Sequence, residues 1–550
     1  MKKYFTILVL AAVGTTAAAQ NWADAYLFSE NVYGGTARTV GMGNAVTAIG
    51  GDPGTLVFNP AGSAVAAYSQ LSITPGVTFS VASATGTVLS GDTRPIGFGD
   101  QYRTGFMKAK LPNVSFITSF DTGKRRGVKR YSFGFSFNAT NNFTSRFNAA
   151  GVNSDNSYAA SLASSADGFS ASVMGEEDWF YSGDPARMPA WVDMVGYRSG
   201  MIGSVDGMDG AYIALTETMD ENGNFRLAAP VYQKYGRQSS GYKSDFILNF
   251  AADISDVFYV GANLGLVNLN YNQVQYWQES PEIESEFPTI AYSDGTTATF
   301  SSLLMQQNYR ATGSGLYVKA GVLWRPTSSL RVAAAVQTPT ILRITERYGY
   351  KGQATLKGKA SPSASSPEDE WSYQLRMPWR LNAGIAYSIG NVAVLSADYE
   401  MVNFGSNRFA TYSSGDGSFV ENSFSTVNDE ISQMLGLSHM LRLGAEVKPI
   451  PSLAVRAGYN LDTNPQTGLS SLLKHAFSLG LGWSSAGSFY MDAAVRLRTV
   501  PAEYIIPYYY YYAPSAGSFY DKYVRDDVLT PEIEVKTLFA DALLTLGWRF

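Results

Sequence analysis

Two histidines are the first place to look for chemistry in this chain, because it has no cysteine. His439 and His475 are the only imidazoles among 550 residues, so a multi-histidine metal site is nearly excluded and a thiolate site cannot form. A hydrolase would need a nucleophile and an acid beside one of them. Neither histidine has a Ser or Asp two residues away, although a neighbouring strand could supply one. We therefore predict an interfacial role for both histidines, no enzyme activity and no cofactor.

Two other segments have a distinctive composition. The acidic, glycine-rich stretch from Ser204 to Gly210 offers too few oxygen ligands for a calcium loop and is interpreted as a surface loop. Five consecutive tyrosines run from Tyr508 to Tyr512. A sticky surface patch, a sugar-binding element and an outer aromatic girdle are all open interpretations of this run.

The overall composition favours a sheet protein that does not bind nucleic acid. The chain has 35 Tyr, 30 Phe and 53 Gly, but only 16% charged residues, a balance that suits twisted sheets better than helical bundles. The formal net charge of -5 leaves no basic surplus for a nucleic-acid surface.

The first residues have the pattern of an export signal. Lys2 and Lys3 precede a short apolar run, and Ala17 to Ala19 offer a cleavage site before Gln20. We therefore predict a signal peptide over residues 1–19. No later segment approaches the ~20 apolar residues of a membrane-spanning helix.

Alternation of apolar and polar residues is the strongest structural signal. One face of the last segment is formed by Ala540, Ala542, Leu544, Leu546, Trp548 and Phe550. A strand with one apolar row and one polar row is typical of a transmembrane barrel. The aromatic Phe550 resembles the signal by which the barrel assembly machinery recognises outer-membrane barrels.

The same alternation recurs in pairs of segments joined by short turns, to a total of about fourteen strands. Long connections are predicted on the opposite side, at 141–243, 271–313, 340–378, 403–438, 461–473 and 500–534. Short periplasmic turns and long extracellular loops are the outer-membrane arrangement. This arrangement places Trp324, Trp483 and Trp548 in a periplasmic aromatic girdle. A soluble protein with paired sheets explains the alternation, but not the one-sided loops.

Charged residues on the inward-facing rows predict an ion-pair network inside the barrel. They are Arg442, Glu446, Lys448, Arg456, Asp492, Arg496, Arg498, Asp541 and Arg549.

Residues 20–70 do not alternate, and small residues and turn formers dominate them. The segment has apolar residues and few charges, unlike a disordered tail. We predict that it packs inside the barrel formed by residues 71–550, with a weakly helical stretch near Val40 to Ile49.

This N-terminal segment resembles that of a known family. Gly35-Thr36-Ala37-Arg38, Gly41-Met42-Gly43-Asn44-Ala45, Asp52 and Asn59-Pro60-Ala61-Gly62 are similar, in that order, to the signature of the FadL-type transporters of long-chain fatty acids and aromatic hydrocarbons. Leu111-Pro112-Asn113, Trp324-Arg325-Pro326 and Pro378-Trp379 extend the resemblance over nearly the whole chain.

The resemblance implies a fourteen-stranded outer-membrane barrel plugged by an N-terminal hatch. Hydrophobic substrate would enter from outside and leave sideways into the membrane through a gap at a kinked strand. Asn59, Pro60 and Ala61 match the hatch motif, where an Asn-Pro turn would fix the hatch to the wall.

The 141–243 loop departs from the family pattern. Its apolar residues are either an extracellular capture groove for substrate or the small core of a folded loop. They are Trp179, Phe180, Met188, Trp191, Met194 and Met201.

The sequence therefore predicts a monomeric outer-membrane transporter for hydrophobic small molecules, surrounded by outer-membrane lipids and lipopolysaccharide. A surface or structural barrel and a general diffusion porin are the alternatives, because fold does not fix function. The polar inward rows favour a porin, whereas a plugging segment counts against one.

Overall fold

Fourteen antiparallel strands close into one barrel, with the first strand paired to both the second and the last. The computed structural model describes residues 21–88, 96–176, 189–221, 225–291, 295–412, 419–420, 424–485, 487–508 and 530–550. The predicted all-β barrel is confirmed. The signal peptide predicted over residues 1–19 lies outside the described residues.

Five of the fourteen strands continue as a second segment after a short interruption or bend. In chain order the strands are β1 Gln70–Gly86, β2 Tyr102–Asp121, β3 Val128–Asn142 and Ser145–Asn153, β4 Val231–Ile254, β5 Phe258–Pro281, β6 Thr297–Trp324, β7 Leu330–Gln337 and Ile341–Lys357, β8 Asp369–Arg376 and Arg380–Ile389, β9 Ala393–Asn403 and Arg408–Tyr412, β10 Leu437–Ile450, β11 Leu453–Thr463, β12 Leu473–Ser484, β13 Phe489–Thr499 and Glu503–Ile505, and β14 Ile533–Arg549.

Helices occur in the N-terminal segment and in the extracellular connections. The α-helices are α1 Trp22–Ser29, α2 Ala37–Gly41, α3 Tyr158–Ala166, α4 Ala171–Met174, α5 Trp191–Arg198 and α6 Ser425–Met434. Short 3-10 helices are Pro53–Val57, Pro60–Val65, Glu284–Glu286 and Phe404–Ser406. In the described ranges, none of the helices has the length and apolar character needed to cross a bilayer.

The outer surface of the barrel is apolar and its interior is polar. One exposed apolar residue from each strand, in order, is Phe79, Phe116, Phe133, Phe250, Leu264, Val318, Val332, Ile385, Leu395, Leu443, Val455, Leu479, Val495 and Leu544. Buried polar residues of the opposite parity include Ser132, Asn249, Lys319, Asp398, Arg442 and Asp541. An apolar belt around a closed sheet is suited to lipid, so the chain is a transmembrane barrel of the outer-membrane kind.

Short turns join the strands at one end of the barrel, which is the periplasmic end by analogy with outer-membrane barrels. They lie at 122–127, 255–257, 325–329, 390–392, 451–452 and 485–488. Ser69 and Phe550 exchange backbone hydrogen bonds of 3.0 and 3.1 Å at this end. The belt at this end carries the exposed side chains of Trp324, Trp483 and Trp548. The predicted position of these residues in a periplasmic aromatic girdle is confirmed.

The extracellular half of the sheet is longer than predicted. The connection predicted over 271–313 is mostly strand, because β5 and β6 remain paired as far as Glu279 and Leu303. The connections predicted over 141–243 and 340–378 are partly strand as well. The side chains here no longer face lipid, so apolar and polar residues stop alternating although the ladder of backbone hydrogen bonds continues.

The 141–243 region folds into a small extracellular module over the barrel mouth. It contains α3 to α5 and two hairpins, Ile202–Val205 with Met208–Ala214 and Glu217–Met219 with Phe225–Leu227. Tyr158 stacks on Trp277 of β5 with ring centroids 5.1 Å apart. Glu279 accepts the Tyr158 backbone N–H at 2.6 Å. These contacts attach the module to the extended strands.

Candidate functional site

The N-terminal segment fills the lumen, and we call its described part, residues 21–69, the hatch. Asn59 lies fully buried at its centre. The Asn59 side-chain amide donates to the carbonyl oxygens of Thr47 (3.0 Å) and of Val322 on β6 (3.1 Å). Its oxygen accepts the Ala61 N–H at 3.1 Å. Asn59 thus closes a hatch turn and bonds it to the barrel wall.

The two residues after Asn59 continue this contact. The Pro60 carbonyl accepts from the side-chain amide of Asn249 on β4 at 2.9 Å. The turn then leads into the 3-10 helix Pro60–Val65, where Ser63 donates to the Asn249 side-chain oxygen at 2.6 Å. Asn59, Pro60 and Ala61 therefore contact wall and hatch residues, and a role in fixing the hatch remains our prediction for them.

Glycines on the wall allow the hatch backbone to approach closely. A Cβ atom added to Gly458 on β11 would lie 2.0 Å from the Gly43 nitrogen and 2.5 Å from the Met42 carbonyl carbon. On β6, one added to Gly321 would lie 2.1 Å from the Asn59 side-chain oxygen. Gly261, Gly384 and Gly444 have similarly close hatch or wall atoms. The hatch backbone therefore packs against wall positions that are occupied by glycine and have no side chain.

Buried ion pairs link the wall with the hatch. Glu400 on β9 is fully buried and pairs with Arg380 (2.8 Å) and Arg442. Arg38 of the hatch pairs with Glu446 at 2.9 Å, and Arg456 joins Glu446 to Asp492 at 2.6 Å to each.

Most of the predicted luminal charges belong to such pairs. Lys448 differs, because it is exposed at the periplasmic end of β10. The prediction failed there because the strand passes a bulge between Val447 and Ile450, which shifts the alternation of faces.

Helix α1 occupies an apolar region of the lumen. Its Ala25 and Phe28 side chains are fully buried, and Phe28 lies edge-on to Tyr271 with ring centroids 5.9 Å apart. The surrounding cluster comes from the wall, from α6 and from the 3-10 helix Phe404–Ser406, and it includes Val267, Leu269, Tyr317, Leu342, Ile344, Tyr373, Leu375, Phe404, Phe409, Ile431 and Met440. This is the part of the lumen whose chemistry suits a hydrophobic solute.

Strands β2 and β3 lose their backbone pairing over part of the wall, and we call this unpaired stretch the window. These strands pair from Asp121 and Arg130 up to Asn113 and Asn138. Above that level β2 pairs only with β1, and the second segment of β3 pairs with β4. One isolated bridge between Asp100 and Ala150 closes the top. All of residues 100–153 are described, and within them β2 and β3 separate between the Asn113–Asn138 pair and the Asp100–Ala150 bridge.

A bulge in β3 produces the window. Ala139 pairs with Ser244 and Asn141 with Lys243, so Thr140 is an extra residue in the ladder. Beyond it the strand bends inwards, and the Asn142 amide reaches Thr78 of β1 at 3.0 Å. The inserted residue of a bulge commonly bends a strand in this way.

The hatch borders the window from inside. The Val32 and Gly34 N–H groups donate to the carbonyl oxygens of Thr140 (2.7 Å) and Ala139 (2.8 Å). The part of β2 that β3 leaves unpaired lies beside Gly76 to Ala84 of β1, where Phe79 and Val81 are exposed on the belt. The window is therefore at the level of the lipid.

A small polar cavity of about 50 Å³ lies between the hatch and strands β10 to β13. Hatch residues Tyr26 and Glu30 form one side. The opposite side includes Arg442, Lys474, Arg496 and Arg498.

Three of the predicted loop residues belong to the core of the extracellular module. Trp191 and Met194 on α5, and Met201 shortly after it, are buried in the cluster that includes Tyr158, Leu162 and Tyr212. Their side chains are thus turned away from solvent. Trp179, Phe180 and Met188 lie outside the described residues.

The tyrosine run is described only at its first member. The Tyr508 hydroxyl donates to Asn156 at 2.7 Å and also contacts Gln233 at 2.7 Å, so this side chain is part of the module's interior. Residues Tyr509 to Tyr512 lie outside the described residues.

Both histidines lie on the outer surface beside a tyrosine of the neighbouring strand. The His475 ring nitrogen Nδ1 is 2.9 Å from the Tyr459 hydroxyl, and His439 has the same relation to Tyr399. This placement agrees with the interfacial role predicted for them, which stays a prediction. The parts of the chain that are described contain no group of three or more His, Cys, Asp or Glu residues arranged for a metal ion.

The extracellular module should lose stability as the pH rises towards neutrality. Burial raises the pKa of Asp193 on α5 to about 7, although Ser165 donates to its carboxylate at 2.7 Å. In the unfolded chain an Asp titrates near ~3.9, so the folded module holds the proton more tightly. Its stability is therefore highest below about pH 4 and falls until about pH 7.

Hydrogen exchange of the α5 amides, corrected for intrinsic rates, measures this effect. We expect faster opening at pH 8 than at pH 5 in the native protein, and a much smaller difference in Asp193→Asn, whose side chain stays neutral. The same pH dependence in both proteins would show that another group is responsible.

Sequence reasoning missed several residues of the site. Glu400, Arg380 and Lys474 received no role, although Asp398 and Glu400 alternate with Tyr399 and Met401. That alternation is the signal that could have placed them inside the barrel.

Comparisons with known proteins gave matches among solved structures alone. No family model matches the chain, and no curated protein matches it. A Pseudomonas aeruginosa FadL homologue matches with a TM-score of 0.48 and 11% identity, covering 94% of this chain and 99% of that one. The Pseudomonas putida toluene transporter TodX matches with a TM-score of 0.46 and 11% identity, covering 94% of this chain and 99% of that one. The Ralstonia pickettii toluene transporter TbuX matches with a TM-score of 0.43 and 13% identity, covering 95% of this chain and 100% of that one.

Proposed function

We propose that this chain is a FadL-type transporter that lets hydrophobic small molecules cross the outer membrane passively. The solute enters from outside, occupies the apolar part of the lumen and leaves sideways into the membrane. The observation that supports this most strongly is the window, where β2 and β3 lose their backbone pairing at lipid level in an otherwise continuous sheet.

The physical reason for a sideways exit is the chemistry of the lumen. Straight passage to the periplasm meets the hatch, which is bonded to the wall by Asn59 and by buried ion pairs. An apolar solute gains roughly 25 cal/mol for each Å² removed from water. A solute that moves from the apolar region around α1 directly into the lipid stays out of water and keeps this favourable free energy. A solute that passes through an aqueous channel loses it.

Helix α1 must yield for a solute to occupy this region, because Phe28 and Ala25 fill it at present. The helix has only eight residues, and it is joined to the rest of the hatch through residues 30–36. Its displacement would also free Val32 and Gly34 from the β3 bulge, which would couple solute entry to access at the window.

In this proposal the protein acts as a monomer, surrounded by outer-membrane lipids and lipopolysaccharide. Phe550, which is 68% exposed, serves as the recognition residue for the barrel assembly machinery. A general porin is disfavoured by the hatch. A surface role remains the alternative, favoured by the sheet that continues past the belt to Glu279 and Leu303.

Calorimetric titration of the full chain in amphipol tests the proposal. We expect saturable binding of a fatty acid or of an aromatic hydrocarbon. Asn59→Ala removes the amide contacts to Thr47 and Val322 and should alter the affinity by loosening the hatch. Absence of saturable binding for both ligand classes would reject transport and leave the surface role.

A further inference from the structure

The outer face of strands β6 to β8 changes from apolar to polar at one level. Leu316 on β6 lies opposite Ile341 on β7, and both side chains are exposed on the apolar belt. Trp379, which lies between the two segments of β8, is exposed near the same level. Beyond it the outward positions of the three strands are polar or charged as far as Arg310 on β6 and the residues beside it. This level is therefore the extracellular edge of the hydrocarbon region.

Arginines dominate the outer face just above this edge. Arg376 on β8 lies beside the last apolar residue of β7 and, on its other side, opposite Arg408 of β9. Arg343 is the next outward residue of β7, and four residues further Arg347 lies opposite Arg310 of β6. At ~3.3 Å per residue and a strand tilt of ~40°, these positions extend over about 15 Å along the barrel axis. We call these five residues the arginine patch.

The protein compensates little of the positive charge of the arginine patch. Among the described outward positions at this level the one carboxylate is Glu370, which pairs with Arg347 at 2.7 Å. One step higher, Glu368 lies beside Gly349 and is offset by the exposed Lys351. Three arginines of the patch form no ion pair with a described residue, namely Arg310, Arg376 and Arg408. Five arginines against one carboxylate leave an excess of four positive charges.

Like charges lie directly opposite each other in the patch. Arg310 faces Arg347 across the ladder of β6 and β7, and Arg376 faces Arg408 across that of β8 and β9. Like charges at directly opposite positions destabilise a sheet. An anion that lies between two guanidinium groups removes this repulsion and accepts hydrogen bonds from both.

The far side of the barrel rim has no such excess in the ranges that are described. On β13 and β14 the exposed charges are paired, because Glu503 binds Arg237 at 2.6 Å and Glu534 binds Lys536 at 2.7 Å. The uncompensated charge is thus a local property of β6 to β9.

The position of the patch identifies the kind of anion. The patch lies on the outer wall directly above the belt, where the headgroups of the outer leaflet lie. A guanidinium group binds a phosphate in a bidentate manner, and the belt below the patch can contact the acyl chains of the same molecule. A fitting partner therefore has acyl chains, a phosphate close to them and further anionic groups up to about 15 Å higher.

We infer that the arginine patch binds the phosphorylated headgroup of an outer-leaflet glycolipid, the lipopolysaccharide of a diderm bacterium. Arg376 and Arg343 bind a phosphate next to the acyl chains, and Arg310 and Arg347 bind anionic groups of the core sugars. The inference goes beyond the proposed function, because the patch is on the outer wall and away from the window. It applies to a transporter and to a surface barrel alike.

Native mass spectrometry of the full chain in detergent tests this inference with two glycolipids, phosphorylated lipid A and a lipopolysaccharide that also carries anionic core sugars. We expect both to bind about 10- to 100-fold more tightly than dephosphorylated lipid A, the range for hydrogen bonds to charged groups. Arg376→Gln should weaken the binding of both glycolipids by a similar factor. Arg310→Gln should weaken only the binding of the glycolipid with core sugars.

Matched controls separate the patch from net charge and from folding. Arg125→Gln combined with Arg126→Gln removes two exposed arginines from the periplasmic turn 122–127 and should leave both affinities unchanged. Its counterpart is Arg310→Gln combined with Arg376→Gln. Arg376→Lys keeps the charge without the bidentate geometry and should retain part of the affinity for phosphorylated lipid A. The heat-dependent shift of the barrel in gel electrophoresis reports the folding of each variant.

Three results would overturn the inference. The first is equal affinity of the native protein for phosphorylated and dephosphorylated lipid A. The second is the same loss of affinity in the two double variants, because binding would then follow net charge and not the patch. The third is binding of inorganic phosphate as tight as that of lipid A, because the partner would then be an ion and not a lipid.

Discussion

Gly458→Val should displace the hatch from the barrel wall. The new Cβ would lie 2.0 Å from the Gly43 nitrogen and 2.5 Å from the Met42 carbonyl carbon, so backbone atoms must move. That movement breaks the bond from the Asn460 amide to the Gly43 carbonyl, now 2.9 Å long. Overpacking costs about 1–3 kcal/mol even where a core can relax, which corresponds to a roughly 5- to 150-fold larger open population.

Limited proteolysis of residues 21–69 and outer-membrane permeability to a small hydrophilic dye measure this effect, and both should rise. Gly105→Val is the matched control, because no atom lies within 4 Å of its added Cβ. Equal protection of the hatch in Gly458→Val and in the native protein would contradict a hatch held by close backbone contact.

Glu400→Gln should strongly reduce the stability of the barrel and of the hatch. Glu400 pairs with Arg380 and Arg442 and accepts from the Tyr33 hydroxyl of the hatch at 3.1 Å. Without its charge these two buried guanidinium groups lose the carboxylate that they share. Breaking a buried pair in this way costs about 3–5 kcal/mol. We expect a lower unfolding temperature and loss of hatch protection.

The Arg347–Glu370 pair provides the comparison. Both side chains are about half exposed, and an exposed pair contributes only about 0–1 kcal/mol. Glu370→Gln should therefore leave the unfolding temperature nearly unchanged. Similar shifts for Glu370→Gln and Glu400→Gln would show that the luminal pairs do not stabilise the barrel more than surface pairs do.

The membrane-spanning part of the fold was predictable from sequence because lipid imposes the alternation directly. Rows such as Leu441, Leu443 and Ala445 can face lipid in only one way, so strand number and the position of the short turns followed. The extension of β5 and β6 was not predictable by the same reasoning. Asn270 lies opposite Thr312 and Gln306 lies opposite Tyr276 in the ladder, but neither face of the sheet meets lipid there.

The site was less predictable because it depends on which distant residues meet. The Asn59–Pro60 turn pointed to a hatch, yet nothing in its sequence identified Val322 or Asn249 as partners. The β3 bulge is one extra residue in the ladder, Thr140, and an extra residue has no signature of its own. Glu30 and Lys474 are 444 residues apart, so only the closed barrel brings them together.

Uptake by a variant that lacks Thr140 tests the central claim most directly. Removing the extra residue allows β3 to continue beside β2 and so closes the window at lipid level. Uptake of labelled decanoate or toluene is measured in bacterial cells without another such transporter, with a deletion of the exposed turn residue Lys124 as the control. We predict that the Thr140 deletion abolishes uptake while ligand binding by the purified, folded protein persists. Uptake at the native rate through a folded barrel without Thr140 would contradict a sideways exit.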